Sequence, residues 1–295
     1  MILYKYRNDS NFTEKIFIDK KVWLANAEAL NDPFECKISE IAKDWIDEQV
    51  KVMKSGQLMG FAGGLVQAVK TKTGFYGLNS KQTNEYAKKF RARSFDQQYL
   101  SMRDFIFRKT GVEMSRPDDT FNNFDKQLND VGIFSLTETD DNELLWAYYA
   151  DSSKGIAIGF EVVEGNKLYN SEHCLKVIYT DTKPTFNGKG FKNTVSFFKD
   201  KNIQKISFDD ETFRQAISTK NTTWFHEKEW RYVEERTGSY DFPGKIVEVI
   251  FGLKCQSDVR EKYYNLVKMH INNEVQFFEV KIINNKLVKC SYSEL

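Results

Sequence analysis

Proline is scarce in this chain, four residues in 295, and histidine scarcer, with three. So little proline excludes a linker-rich chain, and the composition is that of an ordered globular protein. His173, His226 and His270 are too scattered for a metal centre, which wants ligands at short spacing, so no metal is expected. The four cysteines, Cys36, Cys174, Cys255 and Cys290, make no C-x-x-C pair. They read as reduced thiols, not as zinc ligands or a disulfide framework. Charge of one sign is missing too: 43 basic and 42 acidic side chains leave a net charge of +1. Nothing here marks a nucleic-acid binder that works by bulk charge. No stretch approaches the roughly 18 apolar residues of a membrane span. Met1 leads into "ILYKYRNDS", without the apolar region or cleavage site of a signal peptide, so a cytoplasmic protein with no membrane partner is expected. The G-x-G-x-x-G, G-x-x-x-x-G-K and G-x-S-x-G motifs are absent as well. A Rossmann dehydrogenase, a P-loop nucleotidase and an α/β-hydrolase therefore have no positive support.

What the chain has is aromatic residues: 24 Phe and 14 Tyr, with enough length for a well-buried core. "ILYKYR" alternates and reads as an opening strand, and "KIFIDKKVWLA" (15 to 25) as two short strands about a polar turn. In "ALNDPFECKISE", Asp32 suits an N-cap, Pro33 the first helical position, and Glu35 a capping box. Ile38, Ile41, Trp45 and Ile46 follow at helical spacing. That reading leaves Asn31 and Phe34 without a role. Residues 42 to 130 are charged, Asn/Gln-rich and helical in pattern, and read as an insert. "TDDNELLWAYYADSSKGIAIGFEV" contains a second capping box, Asp140 with Glu143, then a helix, a turn and a strand. A polar, Phe-rich helical region is expected over 190 to 222.

Strands precede and follow helical blocks without regular alternation, which argues an α+β fold. The expectation is a single α+β domain over 1 to 295, with a central mixed or antiparallel sheet flanked by helices and the mainly helical insert at 42 to 130. The segments at 2–7, 132–138, 156–162, 226–234 and 246–251 should meet in that sheet.

"TTWFHEKEWRYVEER" carries the most chemistry. As a strand it places Glu227, Glu229 and Arg231 on one face and Lys228, Trp230 and Tyr232 on the other. Two glutamates on one face repel unless a partner such as Arg231 compensates. A carboxylate so held can position a ribose hydroxyl; the plainer alternative is a solvent-facing edge strand with an ion-pair ladder. Trp146, Tyr148 and Tyr149 pose a similar choice, core on one face and an aromatic wall for a flat ligand on the other.

Together "LYKYR", "NDPFE", "FSLTE", "LLWAYYADSSKGIAIGF" and "WFHEKEWRYVEE" resemble a bacterial family known as domain of unknown function 2971. The chain departs from the family pattern at Ile133, where the family commonly has Cys, and at Tyr148, where it commonly has His. The layout is also similar to a distant ADP-ribosyltransferase, which implies NAD as substrate. Carried over, that resemblance makes Tyr6 or Arg7 the first-strand element, Ser135 or Trp146 the middle one, and Glu229 the late carboxylate. Asn31 would bond a ligand amide and Phe34 would stack on a ring. Arg7 would contact phosphate, and Trp146 and Tyr148 would wall the nicotinamide. Three readings stay open. The first is an NAD-using transferase or glycohydrolase, acting on a protein or nucleic-acid target in a bacterial defence or toxin context. The second is a metal-dependent nuclease using Asp32, Glu35, Glu227 and Glu229, and the third a non-catalytic ligand sensor or interaction module.

Overall fold

A computed structural model of the chain describes residues 1–186, 191–272 and 274–292. It begins with β1 (Ile2–Arg7), α1 (Asn11–Asp19), β2 (Lys21–Leu24), α2 (Lys43–Lys70), α3 (Ser80–Arg91) and α4 (Phe95–Thr110). Next come α5 (Pro117–Asn122), α6 (Phe124–Asp130), β3 (Gly132–Thr137), α7 (Glu143–Tyr149), β4 (Ile156–Glu161) and β5 (Cys174–Lys176). The middle holds β6 (Ile178–Tyr179), β7 (Asn193–Phe197), β8 (Asn202–Ile206), α8 (Glu211–Ser218) and β9 (Thr219–Lys220). Last are β10 (Glu229–Glu234), β11 (Gly238–Asp241), β12 (Ile246–Phe251), α9 (Ser257–His270), β13 (Gln276–Ile283) and β14 (Lys286–Ser291). Short 3-10 turns lie at Ala27–Ala29 and Thr222–Glu227. Among the described residues no helix is long and apolar enough to cross a membrane.

Contacts group the chain into two compact units. The first comprises Met1–Lys37, Leu128–Pro184 and Gln215–Leu295. Its centre is an eight-stranded sheet in the order β14-β13-β12-β4-β1-β3-β10-β5. The five segments expected to meet in one sheet do so. The sheet is mixed: β12 and β13 are parallel and linked through α9, while every other neighbouring pair is antiparallel. A parallel pair needs a long crossover, and α9 supplies it. The central strand β4 is covered on both faces, with Ile156, Ala157, Ile158 and Phe160 all fully buried. One face packs against Phe17, Phe134, Phe251 and Tyr263; the other carries Tyr4, Tyr6, Trp146 and Ala150.

This sheet has one irregularity. β1 pairs with β4 at all six positions, from Ile2↔Glu161 to Arg7↔Ile156, and β3 pairs with β10 over six. Yet β1 meets β3 only at Tyr4↔Thr137. At its other end β3 turns to a different partner: Ala25 N donates to Ile133 O (2.9 Å) and Ile133 N to Ala25 O (2.8 Å). The two halves of the sheet therefore part between Lys5–Arg7 and Ile133–Leu136. The turn into β4 holds the end of β1 tightly. A Cβ on Gly155 would lie 2.1 Å from the Arg7 carbonyl oxygen, so only glycine fits that approach. Before it, Asp151, Ser152 and Ser153 take φ of 47°, 56° and 70°, a left-handed run that costs each of them backbone energy.

Three sequence expectations are corrected here. Residues 15 to 25 are not a strand pair. Ser10 caps α1 by accepting from Thr13 N, Ile16 and Phe17 bury one helix face, and Lys20 ends it at φ 54° before β2. A short apolar run such as "KIFI" fits either period, and the cap decides. The cap of α7 is Asn142, whose Oδ1 accepts from Leu144 N (2.9 Å) and Leu145 N (3.3 Å). Asp140 instead gives its carbonyl to the Trp146 indole N–H and its carboxylate to Lys289. The region expected to be helical at 190 to 222 contains the β7–β8 hairpin as well as α8. Residues 187 to 190 lie outside the described residues, as do 273 and 293 to 295.

The second unit comprises Ile38–Gln127 and Thr185–Arg214. Its helices α2, α3 and α4 close on a cluster that includes Leu58, Phe61, Leu65, Phe90, Tyr99 and Met102. α3 opens with a full capping box, Asn79 with Gln82, and α4 stops at Gly111 in the left-handed conformation.

Candidate functional site

Where β1 and β3 part, the first unit has a cavity of about 640 Å³, lined by β1 from Tyr4 to Arg7 and β3 from Ile133 to Thr137. It falls within the size range of small-molecule sites. Glu35, Lys220, Glu227 and Glu229 also line it.

Three pieces of chain deliver those groups. The alternation of β10 sends Glu229 and Arg231 to one face, opposite Thr137 and Ser135 of β3. Glu227 is not on the strand, as the sequence had suggested, but ends the 3-10 turn before it. Lys228 at φ 44° reverses the chain between the two glutamates, so both still reach the same cluster. Thr137 Oγ1 donates to Glu227 O at 2.7 Å, and Asn142 Nδ2 to His226 O at 2.7 Å, which fixes that turn. Lys220 closes β9.

Glu35 arrives from "NDPFE", and the helix-cap reading of that stretch is overturned. The helix after it starts only at Lys43. Residues 32 to 35 form a turn in which Asp32 Oδ1 accepts from Phe34 N (2.9 Å) and Asp32 O from Glu35 N (3.2 Å). Asp32 caps this turn and no helix. Glu35 does not reach back to a cap because its carboxylate has stronger partners, two buried cations.

The resulting cluster is a buried ion network. Lys220 Nζ lies 3.0 Å from Glu35 Oε1, 2.6 Å from Glu227 Oε2 and 2.9 Å from Glu229 Oε2. Arg231, with no exposed surface, donates Nε to Glu229 Oε1 at 3.0 Å, Nη2 to Glu35 Oε2 and Nη1 to the Ile217 carbonyl at 2.8 Å. Glu227 Oε1 accepts from Tyr149 OH (2.7 Å), which in turn accepts from Asn31 Nδ2 (2.7 Å). Three carboxylates thus share two cations, and the cluster carries one net negative charge.

The cations do not stabilise the carboxylates equally. Burial pushes the Glu229 carboxyl up, but Arg231 and then Lys220 outweigh it and hold it down at about 2. For Glu35 burial wins over the same two cations, and its carboxyl sits above its ordinary value. Lys220 and Arg231 are both raised: burial opposes this, and Glu229 and Glu35 overcome it. On β1, burial and then Arg7 pull the Lys5 ammonium down to about 8, against Glu229 and Glu227. Lys5 Nζ donates to Ser135 O at 2.9 Å across the gap. The Arg7 Nε is buried with no hydrogen-bond partner, and among the described residues neither Lys5 nor Arg7 has a carboxylate in ion-pair contact.

The depressed Glu229 carboxyl makes a pH prediction. Its folded value, about 2, lies below an unfolded value near 4.5, so its stabilising effect is present above pH 4.5 and is lost as pH falls through about 2. Urea titrations are expected to show wild type losing on the order of 3 kcal/mol more than Glu229→Gln across that window. Parallel losses in the two proteins contradict the coupling.

Of the residues singled out from the sequence, Tyr6, Arg7, Asn31, Ser135, Glu227 and Glu229 line the one cavity, with Arg231 directly behind Glu229. Ser135 is among the groups that lower the Glu229 carboxyl. Trp146 does not reach the cavity. It is fully buried against Tyr6, ring centroids 4.8 Å apart and edge-on. Phe34 is 67% exposed and lies outside the lining. Tyr148, 66% exposed, lines a separate depression of about 400 Å³ with Arg7 and Tyr149. The site also contains Tyr149, the one of the three α7 aromatics that lines this cavity, and Lys5 and Lys220, which were not among the residues singled out from the sequence. Lys5 had a signal: Lys-x-Arg in an opening strand places two cations on one face. Lys220 had none, because an isolated lysine between a helix and a turn looks like surface.

The carboxylates named in the nuclease reading converge only in part, and around an ammonium. Lys220 already supplies the positive charge that a metal ion would bring to Glu35, Glu227 and Glu229. Among the described residues no group of three or more His, Cys, Asp or Glu is placed to hold a metal.

No curated protein and no solved structure matches the chain. The family described as Protein of unknown function (DUF2971) matches residues 145–232, a span that holds Tyr149, Lys220, Glu227, Glu229 and Arg231. Over that segment, which carries most of the carboxylate cluster, the chain is similar to the DUF2971 family.

Proposed function

We propose that the cavity binds NAD and that the protein is an NAD glycohydrolase or ADP-ribosyltransferase. The observation that carries this reading is the charge pattern of one cavity: a floor where three carboxylates outnumber Lys220 and Arg231 by one charge, and two further cations, Lys5 and Arg7, that have no carboxylate in ion-pair contact among the described residues. NAD is polar in the same sense, with a cationic nicotinamide ring and an anionic pyrophosphate. The strand order β1-β3-β10 supports it further, since it puts Arg7, Ser135 and Glu229 on three neighbouring strands, as the ADP-ribosyltransferase resemblance implies.

In this reading the nicotinamide ribose rests on Glu227 and Glu229, and the pyrophosphate on Lys5 and Arg7. The C1′–N bond breaks with its electron pair leaving on nicotinamide, which departs neutral. The ribosyl cation that remains is stabilised by the anionic floor. Water or an acceptor then attacks C1′ and gives up a proton. No step needs a strong nucleophile or a metal.

The test is titration of the purified protein with NAD, with and without divalent cations, while free nicotinamide is measured. Saturable binding with nicotinamide release that is indifferent to divalent cations is the expected result. Absence of both binding and release overturns the reading. One feature favours a second reading, nucleotide sensing without turnover: both Glu229 oxygens are already held by cations. Saturable binding with no nicotinamide released selects it.

A further inference from the structure

The mouth of the same cavity is built differently from its floor. Phe12, Lys15, Ile16 and Asp19 of α1 line it at i, i+3, i+4 and i+7, so one stripe of the helix faces the opening. Lys21 and Trp23, alternate residues of β2, line it too. Two of these side chains are large aromatics left open to solvent, Phe12 at 75% and Trp23 at 65% exposure. Most exposed aromatics need no explanation, but these two border the cavity that holds the carboxylates, each with a lysine nearby in the lining. Among the described residues neither Lys15 nor Lys21 forms an ion pair.

We propose that Phe12 and Trp23, flanked by Lys15 and Lys21, form a second subsite that stacks the base of a nucleoside phosphate. The inference rests on the nucleotide reading of the cavity and extends it to the part lined by α1 and β2. An aromatic face takes any base through stacking, and an adjacent ammonium takes its phosphate. Neither aromatic is held in the core, so both rings are free to turn onto a ligand. In NAD the subsite takes the adenosine half. The same chemistry also fits one nucleotide of a single-stranded acceptor.

Binding of AMP, nicotinamide mononucleotide and NAD to the full chain separates these roles. Trp23→Ala and Phe12→Ala are each expected to weaken AMP and NAD about 10-fold and to leave nicotinamide mononucleotide unchanged. Trp23→Phe should restore most of the loss, since it returns a stacking face. Because both side chains project into solvent, the thermal midpoints should stay at the wild-type value. Unchanged AMP affinity in both alanine variants overturns the subsite, even if NAD is bound and cleaved. AMP binding that depends on Trp23, with no nicotinamide ever released from NAD, keeps the subsite and overturns the transferase reading alone. If wild type binds none of the three, both fall. A short single-stranded oligonucleotide that displaces AMP points to a nucleic-acid acceptor as the source of the base; failure to displace it points to the free dinucleotide.

Discussion

Replacing Arg231 by Met is expected to cost about 3–5 kcal/mol of stability. The side chain is fully buried and pairs with Glu35 and Glu229 while capping the Ile217 carbonyl. Met fills similar volume, so the loss comes from charge and not from a cavity. Without the guanidinium, Lys220 alone faces Glu35, Glu227 and Glu229, and buried like charges repel at close range. The Glu229 carboxyl should then rise well above its present value of about 2. Adding Glu35→Gln to Arg231→Met should recover part of the stability, because it removes one of the stranded carboxylates. Urea unfolding of the two single variants and the double variant measures this directly as a coupling energy. A loss below about 1 kcal/mol, the range of an exposed pair, would show that water reaches the network.

That network explains which parts of the molecule can be read from the sequence. The five core strands are legible because alternating or continuous apolar runs have few other folds available. Glu229 and Arg231 are legible because a strand with poor β-formers at every second position needs a reason for them. Glu35 was visible but misread. Asp-Pro-x-Glu satisfies the local grammar of a helix start, and nothing local reveals that Arg231, 196 residues away, claims the carboxylate. The aromatic residues fail for a related reason. Trp146, Phe34 and Tyr148 have equal claim by composition, yet one is core and two point to solvent. Which face of a short helix is buried depends on the strand it packs against, and for α7 that is β1. The parting of β1 from β3, which makes the cavity, depends on Ala25 replacing β1 as the partner of Ile133. No periodicity encodes such a switch of partners.

Glu227→Gln and Glu229→Gln should each slow nicotinamide release by about 10²–10³-fold, for different reasons. Gln preserves the shape of Glu and most of its hydrogen bonds but removes the charge that a ribosyl cation needs. Glu227 holds Lys220 through one oxygen and the neutral Tyr149 hydroxyl through the other. Its replacement leaves Lys220 with two carboxylates and Arg231 untouched, so turnover should fall while the thermal midpoint moves little. Glu229 holds a cation on each oxygen. Its replacement leaves Arg231 with Glu35 as its one carboxylate, so turnover and midpoint should fall together, and the acid-sensitive window between pH 4.5 and 2 should flatten. Rate and midpoint measured on the same samples therefore separate a carboxylate that faces the ligand from one that also holds the floor in place. Full turnover by Glu229→Gln with a lowered midpoint assigns Glu229 to the scaffold and leaves Glu227 as the group opposite the ribose. Full turnover by both variants removes the carboxylate floor from the chemistry, because no other anionic side chain of the buried network except Glu35, already committed to Arg231, remains to stabilise the cation.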